Sequence, residues 1–187
     1  MGVKERRDRE KVERSTEILD AAESVIFEKG FENATMEEVA SKAELSKGTL
    51  YLYFKSKEEI YLAIRLRAIR KLFELFSEAV NRDVTGLEKV RRIGEAYFSF
   101  AHDYPNYFDS LLHFEDRKIE LIGDFPLTRE SFEVGAKVNY IVSSAVAQGI
   151  KDGSIRAELQ PEITGMLLWA LSSGFVQLVT RHQDVVT

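Results

Sequence analysis

The sequence predicts an all-α fold, and three observations support that prediction. Apolar residues recur at spacings of three and four along most of the 187-residue chain. Ser and Thr helix caps, several followed three residues later by Glu, divide this pattern into segments of helical length. Only 3 prolines and 11 glycines interrupt it, which leaves little room for the short, turn-rich strands of a β-sandwich.

The bulk composition is that of an ordinary globular protein, with 44% apolar and 30% charged residues. The chain has no cysteine, so we exclude disulfides, thiolate catalysis and cysteine metal sites. No apolar run approaches the ~20 residues that span a bilayer, and the charged start does not resemble a signal peptide. We therefore expect a cytoplasmic protein without a membrane partner. A net charge of −5 allows a locally basic face to bind nucleic acid.

The first sixty residues predict three helices. The first follows Ser15 and ends at Gly30, a residue that tolerates the left-handed conformation after a helix. A capping box of Thr35 and Glu38 opens the second helix. Ser46 caps the third, and only a few residues separate these two short helices. This succession is typical of a helix-turn-helix.

Five further helices are predicted from residue 56 onward. The fourth carries one apolar stripe from Ile60 to Ala79, which is long enough to link two domains. We expect a three-helix helix-turn-helix domain over residues 1–58, and a helical ligand-binding and dimerisation domain over residues 59–187. The boundaries of the later helices are taken from two more capping boxes, Ser56 with Glu59 and Thr85 with Glu88, from the breakers Gly123 and Pro126, and from the helix starts at Pro105 and Pro161.

Residues 35–61 read TMEEVASKAELSKGTLYLYFKSKEEIY, and they carry a specific motif. The motif runs Thr, a Val-Ala pair, Ser-x-Gly-x-Leu-Tyr-x-x-Phe and Lys-x-x-Ile. It resembles the N-terminal domain of the TetR family of transcriptional regulators, and the first helix is similar to that family as well. Glu44 departs from the pattern, because many members have glycine at this turn. The matching residues are Ile18, Leu19, Ala21, Ala22, Phe27, Gly30, Thr35, Val39, Ala40, Ser46, Gly48, Leu50, Tyr51, Phe54, Lys57 and Ile60.

The resemblance implies that the chain binds double-stranded operator DNA. A competing interpretation treats the Ser and Thr residues as helix caps only and the tyrosines as surface packing. The alternative function is a helical ligand- or partner-binding protein that does not read DNA, and Glu44 is its one support. The resemblance implies phosphate contacts for Thr35, Ser46, Tyr53 and Lys57, base or mixed contacts for Lys47, Thr49 and Tyr51, and a close backbone approach at Gly48.

The N-terminal segment from Lys4 to Arg14 has six basic and four acidic residues. Such a segment either contacts the DNA backbone or remains a solvated leader. We expect most of it to be solvated, with Arg14 the residue that reaches DNA.

Aromatic residues are concentrated in the second half of the chain, which predicts a pocket for a small apolar or aromatic effector. About half of them would be ordinary core packing even if such a pocket exists. The resemblance implies a homodimer formed through the last two helices, and the last helix is apolar on two faces. The candidate effector-binding residues are Phe76, Tyr97, Phe98, Phe108, Phe114, Phe132 and Trp169.

No catalytic or metal-binding constellation is evident in the sequence. His102, His113 and His182 lack the paired spacing of metal ligands, and no glycine-rich phosphate loop or Gly-x-Ser-x-Gly elbow occurs. We predict no enzyme, no metal and no cofactor. The sequence thus predicts a ligand-responsive regulator, a repressor that a small effector releases from a palindromic operator.

Overall fold

The computed structural model describes residues 2–116 and 126–181, except for the side chains of residues 3, 113–116, 180 and 181. Every regular element of the described residues is an α-helix, which confirms the predicted all-α class. The helices are α1 (Val3–Lys29), α2 (Met36–Lys42), α3 (Lys47–Tyr53), α4 (Lys57–Val80), α5 (Gly86–Asp103), α6 (Pro105–Asp116), α7 (Pro126–Lys151) and α8 (Pro161–Arg181).

The chain divides into two compact units, Met1–Arg65 and Leu66–Thr187. The division falls within α4, whereas the sequence motif placed the domain boundary between residues 58 and 59. The boundary taken from the motif remains a prediction about where the DNA-binding function ends.

The first unit is a helix-turn-helix built on a small apolar core. Ile18 of α1, Leu50 of α3 and Ile60 and Ile64 of α4 are fully buried. Val39 of α2 is 1% exposed and completes this core. Because Leu50 lies on one side of the seven-residue α3, the other side of that helix is left to solvent.

Helix α1 begins at Val3, whereas the sequence pattern placed its start at Ser15. Residues 4–14 of these additional turns have exposed side chains, so apolar spacing could not reveal them. Charged residues of good helix propensity form them, and Arg6 and Glu10, four residues apart, make an ion pair at 3.3 Å. The expected solvated leader is thus exposed but helical.

The second unit packs α5 against α7 and α8 around an aromatic and aliphatic core. The start of α5 lies so close to α7 that a Cβ atom on Gly86 would stand 2.5 Å from the Ala145 carbonyl oxygen. Residues that follow α7 satisfy the first backbone donors of α5: Gly86 N donates to Asp152 Oδ2 at 2.8 Å, and Leu87 N donates to Ser154 Oγ at 3.1 Å. Side chains from a distant part of the chain therefore cap α5.

Two predicted capping boxes form only in part. Glu88 N donates to Thr85 Oγ1 at 3.3 Å, but the Glu88 carboxylate accepts hydrogen bonds from Arg91 and Arg92 instead of from the Thr85 backbone. Likewise the Glu59 carboxylate accepts from Lys55 N, one residue before Ser56. The prediction of reciprocal hydrogen bonds at these two helix starts was therefore wrong.

Helix α8 has an exposed apolar face. Among the described residues, α8 is the one helix that is long and apolar enough to cross a membrane, over Pro161–Val179, by length and composition alone. One such helix is weak evidence for a membrane protein. In this unit Ser173 and Val176 face the core, while large apolar side chains on the other side are exposed. The exposed residues are Ile163 (52%), Met166 (69%), Leu167 (58%), Trp169 (50%), Leu171 (70%), Phe175 (57%) and Leu178 (58%).

Candidate nucleic-acid interface

The start of α2 is held by the capping box that the sequence predicts. Glu38 N donates to Thr35 Oγ1 at 3.3 Å, and Thr35 N donates to Glu38 Oε2 at 3.0 Å. Lys29 Nζ lies 2.6 Å from Glu38 Oε1, and this hydrogen bond is the main reason that the pKa of Glu38 lies below its usual value. Thr35 is therefore a helix cap in this structure, and its side chain is also exposed to solvent.

The turn between α2 and α3 forms despite the glutamate at its centre. Glu44 has φ 56°, the left-handed conformation in which the family favours glycine. Leu45 N donates to the Ala40 carbonyl at 2.8 Å, and Glu44 N donates to the Ser41 carbonyl at 3.1 Å. These two bonds are a Schellman motif, which closes α2 and directs the chain into α3. The departure at Glu44 thus leaves the turn closed, so it does not support a protein that cannot read DNA.

Helix α3 presents one face to the core and the other to solvent. Its start is capped by Ser46, whose Oγ accepts from Thr49 N at 3.1 Å and lies 2.8 Å from Thr49 Oγ1. Leu50 anchors the inner face. The outer residues of α3 form what we call the reading surface: Lys47, Gly48, Tyr51 and Leu52, which are exposed, and Thr49, which is half-buried.

Nothing in the described part of the chain requires a glycine at position 48. A Cβ atom there would meet only Ser46 Oγ, at 3.9 Å, which is an ordinary contact. Alanine is also the better helix former by about 1 kcal/mol. The glycine therefore keeps this part of the reading surface flat rather than serving the fold.

Two lysines of the predicted site have partners within the chain. Lys47 Nζ forms an ion pair with Glu37, and this hydrogen bond is the main reason that the pKa of Lys47 is raised and that of Glu37 lowered. Lys57 Nζ donates to the carbonyls of Phe31 at 2.6 Å and Glu32 at 3.1 Å, and it lies 4.5 Å from the centre of the Phe31 ring. Lys57 thus ties the start of α4 to the segment after α1.

Sequence reasoning missed Leu52, which is 71% exposed on the reading surface. It lies one helical turn after Gly48 and two residues after buried Leu50, so the alternation around α3 was the signal that could have found it. An exposed leucine at this place could contact the methyl group of thymine. Tyr53, one residue later, is half-buried.

The structure brings together five of the seven predicted effector residues, because Phe76, Phe98, Phe108 and Trp169 all contact Tyr97. Phe76, Tyr97 and Phe108 are buried; the Tyr97 ring centre lies 6.4 Å from that of Phe76 and 5.6 Å from that of Phe108. The Tyr97 hydroxyl lies 2.7 Å from Ser173 Oγ, and burial raises the pKa of Tyr97. Phe98 (41% exposed) has its ring centre 6.4 Å from that of Tyr97, and the partly exposed Trp169 (50%) hydrogen-bonds to Tyr97. The two remaining predicted residues are Phe132 (60% exposed) and Phe114, whose side chain lies outside the described residues.

The histidines occupy separate places in the chain. His102 is exposed near the end of α5, while the His113 side chain and His182 lie outside the described residues. Within the described part of the chain, no three His, Cys, Asp or Glu side chains stand together as a metal site would require.

Comparison with known proteins agrees with this geometry. Residues 18–64 match the model of the bacterial regulatory proteins of the tetR family. The fatty acid metabolism regulator protein of Bacillus subtilis is 24% identical over 160 residues, which are 82% of this chain and 76% of that protein. The transcriptional activator FasR of Mycolicibacterium smegmatis is 35% identical over 96 residues, 51% of this chain and 44% of its own.

A solved structure shares the fold over nearly the whole chain. The transcriptional regulator FadR from Bacillus subtilis, crystallised in complex with stearoyl-CoA, superposes with a TM-score of 0.69 at 23% identity, covering 90% of this chain and 88% of its own. The relatives are transcriptional regulators and not enzymes. Residues 18–64 thus resemble the N-terminal domain of the tetR family of bacterial regulatory proteins, and the chain shares its fold with a solved transcriptional regulator.

Proposed function

We propose that the chain is a homodimeric, cytoplasmic repressor that leaves a near-palindromic operator when a small apolar effector binds its second unit. The observation that carries the proposal is the exposed outer face of α3, with a glycine that the fold does not need. In this proposal Thr35, Ser46, Tyr53 and Lys57 contact phosphates, while Lys47, Thr49 and Tyr51 reach base edges. The Lys57 ammonium group has three hydrogens, and two of them are donated to carbonyls. Lys57 would contact a phosphate with the third.

Gly48→Ala tests DNA reading separately from folding. Because a Cβ atom has room in the free protein, the variant should melt at or slightly above the wild-type temperature. The same Cβ would hold a duplex away from the reading surface, so affinity for operator DNA should fall at least tenfold. The operator is first selected from sheared genomic DNA, and affinity is then measured by fluorescence anisotropy.

Gly94→Ala is the matched control, since Gly94 lies within α5 and a Cβ there also meets nothing within 4 Å. It should leave operator affinity unchanged. Equal affinity of the Gly48→Ala variant and wild type for the operator would contradict a close approach of DNA at α3. Failure of the wild type to enrich any genomic fragment would overturn the proposal that the chain is a repressor.

The bare apolar face of α8 supports the homodimer. Its exposed side chains at positions 163, 167, 171, 175 and 178 follow helical spacing, and such an apolar stripe is typical of a surface that a second helix covers. On α7, Phe132 and Tyr140 are also exposed, at 60% and 72%. Two copies that join these helices would form a four-helix interface across a twofold axis. The two copies of α3 should then lie about 34 to 36 Å apart, one turn of DNA.

Leu171→Glu tests the interface, because it places a charge in the middle of the α8 face, where Leu171 is 70% exposed. The variant should elute as a monomer in size-exclusion chromatography with light scattering and should lose tight operator binding. Leu87→Glu is the control, because Leu87 is also exposed, at 53%, but lies on a different helix, α5. A dimeric Leu171→Glu variant would contradict the assignment of the interface to α8.

An effector with a long acyl chain is the first candidate for the second unit. The support is the buried aromatic cluster of Phe76, Tyr97 and Phe108, together with the stearoyl-CoA that the Bacillus subtilis FadR structure holds. We propose that the ligand displaces α4, one unbroken helix from Lys57 to Val80, and so changes the position of the attached α3. Phe98, Phe114, Phe132 and Trp169 remain proposed contacts.

Operator affinity measured with stearoyl-CoA, with CoA alone and with stearate alone tests this proposal. We expect stearoyl-CoA to weaken operator binding at least tenfold while CoA alone does not. Release by stearate alone would place recognition in the acyl chain only. No change with any of the three would contradict an acyl effector without affecting the DNA-reading proposal.

A further inference from the structure

The first turns of α1 project beyond the core of the first unit as an exposed helical arm, which we define as residues 4–14. Every side chain in this arm is exposed. The first fully buried residue of the helix is Ile18. The arm is about 15 Å long, at 1.5 Å for each residue. It therefore has a surface without contributing to the core.

One face of the arm is basic. Lys4, Arg7, Lys11 and Arg14 recur at spacings of three, four and three, so they lie along one side of the helix, and we call them the basic stripe. The four acidic residues of the arm occupy other helical positions: Glu5, Asp8, Glu10 and Glu13.

The basic stripe continues the face by which α1 packs into its own unit. Extending the same spacing leads to Ile18, Ala22 and Val25, all of which are buried in the core. The face changes from apolar to basic at the point where the rest of the unit no longer covers it. A charged, water-accessible surface thus lies on the side of α1 toward α2 and α3.

The end of the arm also lies beside the helix-turn-helix. Arg14 and Glu17 line one open cleft of about 420 Å³ together with Lys42 and Glu44 of the turn that leads into α3. The basic stripe therefore begins next to the turn and runs outward from it for about 15 Å.

Three members of the stripe are available to an outside partner. Arg14 is paired with Glu17 at 2.8 Å, but within residues 2–116 and 126–181 no ion pair holds Lys4, Arg7 or Lys11. Each DNA strand carries one phosphate for about 3.4 Å of duplex axis, so a stripe about 15 Å long is long enough to reach more than one phosphate. We infer that the basic stripe of the helical arm binds the phosphate backbone of the duplex that α3 reads, extending the interface beyond the helix-turn-helix.

This inference rests on the proposed function, and its test uses the full-length chain and a duplex of about 30 base pairs, both operator and mixed sequence. The double variant Arg7→Gln/Lys11→Gln neutralises two stripe residues. Arg6→Gln/Arg9→Gln removes the same charge from other faces of the same arm and is the matched control. All four side chains are exposed, so circular dichroism and melting temperature should change little in either variant.

Affinity is measured as a function of salt concentration. The slope of log K against log salt is negative, and each lost phosphate contact reduces its magnitude by about 0.9. The stripe variant loses two contacts, so the magnitude should fall by about 2 for each bound protomer. At 0.1 M salt this corresponds to about 60-fold weaker binding per protomer, on operator and mixed-sequence DNA alike. The control should change the slope by less than about 0.5.

Equal slopes in the two variants would overturn the inference, because they would show a general field effect and not a contact of this face. An unchanged slope in the stripe variant would overturn it as well. A wild-type chain that binds neither duplex would instead contradict the proposed function.

Discussion

Gly86→Ala is the sharpest test of how the second unit is packed. A Cβ atom at this position would stand 2.5 Å from the Ala145 carbonyl oxygen and closer still to the backbone nitrogen and Cα of Gly149. Ordinary heavy-atom contacts require about 3.5 Å, and the nearest atom would be Gly149 N, so α5 and α7 would have to separate by more than about 1 Å. Since backbone atoms line this contact, no flexible side chain can give way.

The expected loss follows from two effects. Forcing a methyl group into a close-packed contact costs about 1–3 kcal/mol. The separation would also lengthen the bonds from Gly86 N to Asp152 (2.8 Å) and from Leu87 N to Ser154 (3.1 Å), worth about 1 kcal/mol each. Together they predict a loss of about 3–5 kcal/mol in the free energy of unfolding, or about 10 °C in melting temperature at this chain length.

The assay is thermal unfolding followed by circular dichroism at 222 nm. Gly94→Ala in the same helix is the control: nothing lies within 4 Å of its added Cβ, and alanine should stabilise the helix by about 0.5–1 kcal/mol. A Gly86→Ala variant that melts within about 2 °C of wild type would show that α5 and α7 do not meet through these glycines.

Three further predictions concern single side chains. Glu44→Gly should stabilise the first unit by up to about 1 kcal/mol, because it relieves the left-handed conformation at φ 56°; a lower melting temperature would contradict this. The pKa of Asp152 is lowered chiefly by the hydrogen bond from the Ser154 side chain, so its stabilising effect is complete above the unfolded pKa. The difference in free energy of unfolding between wild type and Asp152→Asn should accordingly shrink as pH falls through the folded pKa in acid denaturation series, and growth of that difference would refute the assignment. Lys57→Met should cost about 1–2 kcal/mol in urea unfolding through the lost carbonyl bonds, whereas unchanged stability would show that the lysine serves DNA alone.

Local chemistry made the helix-turn-helix predictable. The bonds of Thr35 with Glu38 and of Ser46 with Thr49 join residues three apart, so they can be read directly from sequence spacing. Proline marks the starts of α6 and α8 for a comparably local reason, since its fixed φ suits the first helical position.

Contacts between distant residues were not predictable in this way. The caps that Asp152 and Ser154 provide for α5 join residues more than sixty positions apart. The Lys57 bonds to the segment after α1 are of the same kind, and they add a structural role to a residue that the motif had marked for phosphate. The sequence pattern predicted a helix breaker at Pro126, whereas α7 starts at this residue, because the fixed φ of proline suits the first helical position.

The ion pair between Lys47 and Glu37 has a consequence for how the protein searches a genome. A lysine already neutralised by its own chain adds little to the attraction for arbitrary duplex, which depends on unpaired positive charge. If Lys47 contacts DNA as proposed, it must exchange one acceptor for another when it docks, and only a sequence offering a well-placed base or phosphate repays that exchange. On that proposal the carboxylate of Glu37 would shorten the time spent at wrong sites while leaving the lysine positioned for the right one.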